Sequence, residues 1–258
     1  MIEVLNSTDE NLNFIIRGIN HTYANAIRRF SEEVPILAVD TVEIVKNDSM
    51  LYDEMLALRI GLIPLSFDKT FTLPEECTCK GKGCVKCTAD MTLKVMGPAI
   101  VRASDLKSKT VKPVYPEMPI VLLQENQELE IVAEARLGKG ITHAKHSPGL
   151  VWFRAFPKIE LGKECASCKE CVKICPRHVF DSDGKISAKS LINCDLCNAC
   201  VENCMKNGKN EIKVIGSDED FIFEIESWGQ MAPKEIFTES LKALGKNLKE
   251  LDKDIKKL

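Results

Sequence analysis

No stretch of this sequence approaches the roughly 18 consecutive apolar residues that a membrane-spanning helix requires, so no membrane association is expected. Residues 1–11 lack a basic run followed by an apolar one, so no secretory leader is expected either. Positive charge is not in surplus. Thirty-five Lys and Arg stand against 38 Asp and Glu, a formal net charge of −3, which argues against a nucleic-acid clamp and leaves only a local basic face open. Catalytic signatures are also missing. Gly138 and Gly140 fit neither the dinucleotide nor the P-loop spacing, and the neighbouring His143 and His146 are expected to be structural or solvent-facing. There is no D-x-D-x-D cluster to hold the two metal ions of nucleotidyl transfer, so the chain itself is expected to carry no catalytic residue.

What the sequence has in quantity is cysteine, twelve in 258 residues. A chain this long buries roughly 70–75% of its unfolded surface and needs no disulfide staples to fold. Without a leader, its thiols read as metal ligands in a reducing compartment, the cytoplasm by default. Cys165, Cys168, Cys171 and Cys175 spell C-x2-C-x2-C-x3-C, followed by Pro176. Cys194, Cys197, Cys200 and Cys204 repeat the spacing 29 residues later, with Met205 in place of the proline. Structural zinc sites usually present two cysteine pairs across a spacer, not four cysteines within eleven residues, twice. Three thiolates at two-residue gaps can wrap one face of an iron–sulfur cubane, but the local turn leaves the fourth iron open. Asp181, Asp183 and Gly184 lack the remaining ligands of a calcium loop and read as a turn between the two halves.

The duplicated run resembles that of two-cluster bacterial ferredoxins, in which the fourth cysteine of each run ligates the other cluster. The resemblance implies that Cys165, Cys168, Cys171 and Cys204 hold one [4Fe–4S] cluster, and that Cys194, Cys197, Cys200 and Cys175 hold the second. A third group, Cys77, Cys79, Cys84 and Cys87, spells C-x-C-x4-C-x2-C in a loop rich in Gly and Lys. Four thiolates on a short loop suit one tetrahedral zinc ion, which would fix a segment without a core of its own; the alternative is a loop of free thiols.

The rest of the chain patterns as mixed α and β. Alternation at Leu12, Phe14 and Ile16, at Val42 and Ile44, at Met91, Leu93 and Val95, and at odd positions from Leu129 to Leu137 predicts strands, as do Phe221, Phe223 and Ile225. Asn20 is placed to cap a helix over 21–33 with apolar residues Tyr23, Ile27, Phe30 and Val34, stopped by Pro35. Residues 52–60 read as a second helix ended by Gly61. Prolines 113, 116 and 119 break their stretch into turns or edge segments. In the tail, Pro233 suits a first helical turn. Phe237, Leu241, Leu244, Leu248, Leu251, Ile255 and Leu258 then follow at spacings of 4-3-4-3-4-3, a narrow heptad seam of the kind that more often faces another helix; the alternative is an amphipathic helix lying on its own domain.

Several segments outside the cysteine runs resemble the α-like subunits of RNA polymerase, and most closely the archaeal D-type family, some of whose members carry a ferredoxin-like insert. They are 25–30 (NAIRRF) with 34–40 (VPILAVD), 57–65 (ALRIGLIPL), 135–140 (ARLGKG) with 143–145 (HAK), and 221–229 (FIFEIESWG). The family's eukaryotic relatives carry a loop zinc site of C-x-C-x3-C-x2-C type, one residue shorter in its middle gap than the loop here. The resemblance implies an α+β fold with a discontinuous dimerisation domain (1–48 and 218–258), a β-rich insert domain (49–160) and a ferredoxin-like domain (161–217). It also implies a non-catalytic subunit of DNA-directed RNA polymerase that pairs with the smaller subunit L through the tail seam and helix 21–33. With subunits N and P, that heterodimer would serve as the platform for the large catalytic subunits. An electron-transfer subunit of a redox complex is the rival, although the flanking sequence has no flavin, nicotinamide or further cluster motif.

Overall fold

The computed structural model describes residues 1–68, 70–162 and 168–257, so Cys165 and Leu258 lie outside the described residues. Along the chain run β1 (Ile2–Ser7), β2 (Asn11–Arg17), α1 (His21–Phe30), β3 (Ile36–Asn47), α2 (Asp53–Gly61) and β4 (Leu65–Ser66). There follow β5 (Thr88–Met96), β6 (Ala99–Arg102), β7 (Lys112–Pro113), β8 (Pro119–Leu123), β9 (Glu128–Gly138) and β10 (Gly149–Leu161). Three short helices, α3 (Glu170–Ile174), α4 (Ala188–Leu191) and α5 (Ala199–Lys206), precede β11 (Ile212–Ser227) and the long α6 (Pro233–Ile255). The architecture is mixed α+β and rich in strand. It divides into two compact units, one of Met1–Ser7, Asn13–Asn25 and Trp152–Glu224, the other of Thr8–Leu12, Ala26–Val151 and Ile225–Leu258.

The first unit is built on a sheet of order β1-β2-β11-β10. Phe14, Ile15 and Ile16 on β2 are all buried, as are Phe221, Ile222 and Phe223 on β11, so these inner strands are covered on both faces. Phe14 stacks on Phe223 at 5.5 Å and Phe153 on Phe223 at 5.3 Å, an aromatic row across β2, β11 and β10. β10 lies at an edge, where Pro157 leaves no inner ladder short of a donor. The cysteine segment is inserted between β10 and β11, and the Gly162 N–H closes its base on the Glu211 carbonyl at 2.7 Å. Among the described residues of this segment the buried apolar ones are few: Val179, Phe180 and Ile212, alongside Cys171. Half-buried Cys175, Cys194, Cys200 and Cys204 pack on them, so the thiols make up much of its core.

The helix expected at 21–33 is α1 plus a 3₁₀ turn at Ser31–Glu33, and the Asn20 side chain caps it by accepting the Tyr23 N–H at 2.9 Å. Tyr23, assigned to the apolar stripe by spacing, is exposed, and the neighbouring Ala24 takes the buried place.

In the second unit β3, β9 and β5 form an antiparallel sheet, with Ile44 and Leu93 both opposite Ile131. The inward face of β9 is Leu129, Ile131, Ala133, Ala135 and Leu137, and α2 adds Leu56 and Ile60 to the same core. Arg59 ties α2 to β8 by donating to the carbonyls of Ile120 (2.8 Å) and Pro119 (2.7 Å). The Gln230 side-chain amide donates to the carbonyls of Leu37 (2.9 Å) and Leu65 (3.1 Å), fixing the approach to α6. α6 has its proline in the first turn, as expected, and buries Pro233, Ile236 and Ser240. Its seam lies elsewhere on the helix. Leu241, Leu248, Leu251 and Ile255 are 41%, 55%, 56% and 57% exposed, and Phe237 and Leu244 are half-buried. No helix among the described residues is long and apolar enough to cross a membrane.

Candidate metal centres

The loop before β5 folds as two turns that each carry a cysteine pair. The Lys80 N–H reaches the Cys77 carbonyl at 2.9 Å, and the Cys87 N–H reaches the Cys84 carbonyl at 2.9 Å. Lys80, Gly81 and Gly83 take positive φ (54°, 77° and 89°), which lets so short a segment double back. The four sulfurs converge: Cys77 to Cys84 3.5 Å, Cys77 to Cys79 3.5 Å, Cys79 to Cys87 3.4 Å and Cys84 to Cys87 3.7 Å. A tetrahedral ion with metal–sulfur bonds of about 2.3 Å spaces its ligands at about 3.8 Å, so the thiols present the donor set of one zinc-sized cation. A four-iron cubane, which takes one cysteine on each iron, needs a wider spread. Among the described residues no other group of three or more Cys, His, Asp or Glu brings its ligand atoms within 4.8 Å of one another.

The crowded sulfurs do not share charge evenly. The Cys79 backbone N–H, then Thr72 and Cys79 side-chain contacts, draw the Cys77 thiol down to about 6. Burial first, then Cys79, pushes the Cys87 thiol up to about 12. A bound dication would remove this conflict by holding all four sulfurs as thiolates.

In the first unit the seven described ferredoxin-type cysteines line two cavities. One is lined by Cys175, Cys194, Cys197 and Cys200, together with Ile159, Val179 and Phe180. The other is lined by Cys168, Cys171, Cys200 and Cys204, so Cys200 borders both. Cys175 therefore sits with the second run and Cys204 with the first, while Cys165 lies outside the described residues. Burial, then the neighbouring Cys175 and Cys194, raises the Cys200 thiol to about 11. Burial likewise raises Cys194. The backbone supports the sulfurs directly, the Val179 N–H donating to Cys175 Sγ at 3.5 Å and the Glu211 N–H to Cys204 Sγ at 3.4 Å. With Cys200 lining both, each cavity is met by four thiols, and among the described residues neither set brings its sulfurs within the spacing of a single ion.

The two runs differ where the sequence does. Pro176 follows Cys175, and α3 stops at Ile174; Met205 follows Cys204, and α5 continues through it to Lys206. Asp181 and Asp183 make the expected turn, in which Asp181 Oδ1 accepts the N–H groups of Asp183 (3.0 Å) and Lys185 (2.7 Å). His146 is structural, buried with Nδ1 2.8 Å from the Ile36 carbonyl, and His143 is exposed. Arg154, which no motif marks, donates to the carbonyls of Cys194 and Ile192. A lone arginine in a strand carries no signal of such a role in its own neighbourhood.

Residues 42–151, which hold the second half of β3, the cysteine loop, β5 and β9, match the RNA polymerase Rpb3/RpoA insert domain, which defines the class. Similarity to curated relatives runs much further. DNA-directed RNA polymerase subunit Rpo3 of Methanothermobacter thermautotrophicus is 39% identical over 91% of each chain. The Rpo3 of Archaeoglobus fulgidus is 34% identical over 100% of this chain and 98% of its own, and that of Thermococcus kodakarensis is 36% identical over 94% and 92%. The chain belongs to this archaeal Rpo3 family of DNA-directed RNA polymerase subunits.

Proposed function

We propose that the chain is a non-catalytic assembly subunit of DNA-directed RNA polymerase, of the archaeal D type, acting in the cytoplasm. It pairs with the smaller subunit L through the α6 seam and helix 21–33. With subunits N and P it forms the platform on which the large catalytic subunits assemble, and it meets DNA only through them. The observation that carries this reading is the seam: four large aliphatic side chains in heptad register stand exposed on α6. Covering them is worth roughly 1.5–3 kcal/mol each before the cost of association. In this reading 1–48 and 218–258 form the dimerisation domain, 49–160 the β-rich insert and 161–217 the ferredoxin-like domain.

The same reading assigns zinc to Cys77, Cys79, Cys84 and Cys87. It assigns one [4Fe–4S] cluster to Cys165, Cys168, Cys171 and Cys204, and a second to Cys194, Cys197, Cys200 and Cys175. The clusters would supply a multipoint crosslink for a segment whose own apolar core is too small to hold it, and a one-electron centre besides. Support comes from the thiols lining each cavity and from the sulfur spacing in the loop. Purification of the tagged chain from its own cell tests the reading. Polymerase subunits are expected in stoichiometric amounts, and a dehydrogenase or other redox enzyme in their place would establish the electron-transfer alternative.

A further inference from the structure

Arg154 stands on β10 and makes three hydrogen bonds with one guanidinium. Nη1 donates to the Cys194 carbonyl at 2.6 Å, Nη2 to the Ile192 carbonyl at 2.8 Å, and Nε to Glu224 on β11 at 3.4 Å. One edge of the group is thereby tied to the adjacent strand, while the other grips two carbonyls of the second cysteine run. Only a planar fork can satisfy a carboxylate and two carbonyls in this way; an ammonium offers charge without the geometry. The segment it grips needs such a hold. Between α4 and α5 the backbone is irregular, with Leu196 and Asn198 both left-handed (φ 61° and 60°), so no ladder of helix or strand fixes Cys194. The Cys194 N–H has one bond, to the Leu191 carbonyl at 3.0 Å, and its carbonyl is held by Arg154. The arginine side chain is 28% exposed, dry enough for these bonds to matter.

We propose that Arg154 is the positioning residue of the second four-cysteine site, holding the 192–194 backbone where the Cys194 thiolate meets those of Cys175, Cys197 and Cys200. The proposal rests on the iron–sulfur reading above and assigns that site a determinant outside its cysteines. It acts through the carbonyls, not through the sulfurs, so it governs how firmly one cluster is kept and leaves the first site alone.

The test uses the full-length chain reconstituted anaerobically with ferrous iron and sulfide. Iron content, the electron paramagnetic resonance of the reduced protein, and the rate of iron loss in air are followed. Wild type should bind about eight irons. In Arg154→Ala about four of them should be lost roughly ten- to hundredfold faster, the effect of removing a hydrogen bond to a charged group. The resonance should change from that of two interacting clusters to that of one. Arg154→Lys keeps the charge and loses the fork, so it should resemble the alanine variant. Arg17→Ala, whose arginine is partnered by Glu3, Asp220 and the Phe156 ring, should behave as wild type. A lysine variant that matches wild type would overturn positioning in favour of charge. Equal loss of all eight irons would overturn the assignment to one site. Wild-type protein that takes up no iron would overturn the iron–sulfur reading itself, a result distinct from either.

Discussion

Asn198 lies 29 residues after Lys169, and the two share a left-handed backbone, φ 60° and 51°, each immediately before a short helix. The repeat in cysteine spacing is thus a repeat in conformation as well. Asparagine tolerates this region through local hydrogen bonding, whereas a lysine in it bears a steric cost of roughly 1–2 kcal/mol. Lys169→Gly should therefore stabilise the iron-loaded protein by about 0.5–1 kcal/mol, and Asn198→Gly should change it by only a few tenths. Denaturant unfolding under anaerobic conditions measures both. Destabilisation by Lys169→Gly would mean that the exposed pair with Asp183, at 3.5 Å, contributes more than such pairs do.

The cysteine loop should hold about one zinc per chain, since its sulfurs already stand at single-ion spacing. Substituting any one ligand opens the site, and Cys87→Ser should have the largest effect because that thiol is fully buried at the start of β5. Binding requires deprotonated sulfur, so zinc should be released as pH falls. A chromogenic chelator titrated against wild type and Cys87→Ser reads the outcome. Equal zinc content in the two proteins would remove the assignment.

His146 should make part of the stability depend on pH. Burial holds its pKa below the ordinary 6.5, with Lys145 and His143 acting the same way and the Ile36 carbonyl and Asp40 opposing. The folded protein thus favours the neutral ring, so this contribution is present above 6.5 and is lost as pH falls through the depressed folded value. The Asp40 carboxyl, held low by its hydrogen bond from Lys145, weakens only in stronger acid, as pH drops below its ordinary 3.8. His146→Gln should flatten the first phase and leave the second, as measured by thermal unfolding across pH. Gly138 packs face-on to the same ring. A Cβ there would lie 2.6 Å from it, so Gly138→Ala should cost about 1–3 kcal/mol.

Local regularity decides what can be read from the sequence. The β9 alternation, the Asn20 cap and the 4-3 spacing of α6 are patterns within a few residues, and each marks its element. The ferredoxin-type spacing belongs to the same class of signal. β10 escapes because its burial does not alternate cleanly and Pro157 argues against a strand unless that strand is known to be an edge. Tyr23 reads as inward because a large apolar residue outweighs a small one in any periodic pattern, yet Ala24 is the one that faces the core. The role of Arg154 depends on a meeting of β10 with a loop 38 to 40 residues further on, and no local pattern encodes it.

The two faces of α6 should separate folding from assembly. Ile236 is fully buried within its unit, so Ile236→Ala should cost about 2–5 kcal/mol of stability. Leu248 and Leu251 are more than half exposed, so the double change Leu248→Asp with Leu251→Asp should alter the stability of the isolated chain by no more than about 0.5 kcal/mol. In the heterodimer proposed above the same two aspartates would be buried without partners, at a cost sufficient to cancel the seam's contribution. Unfolding curves of the isolated chain and co-purification of subunit L separate these effects. The aspartate variant should fold normally and recover no partner. The Ile236→Ala variant should be less stable, yet retain the partner in proportion to its folded fraction. Recovery of subunit L by the aspartate variant would show that the exposed seam is not where the partner binds, and loss of folding in that variant would show that the seam packs within its own chain.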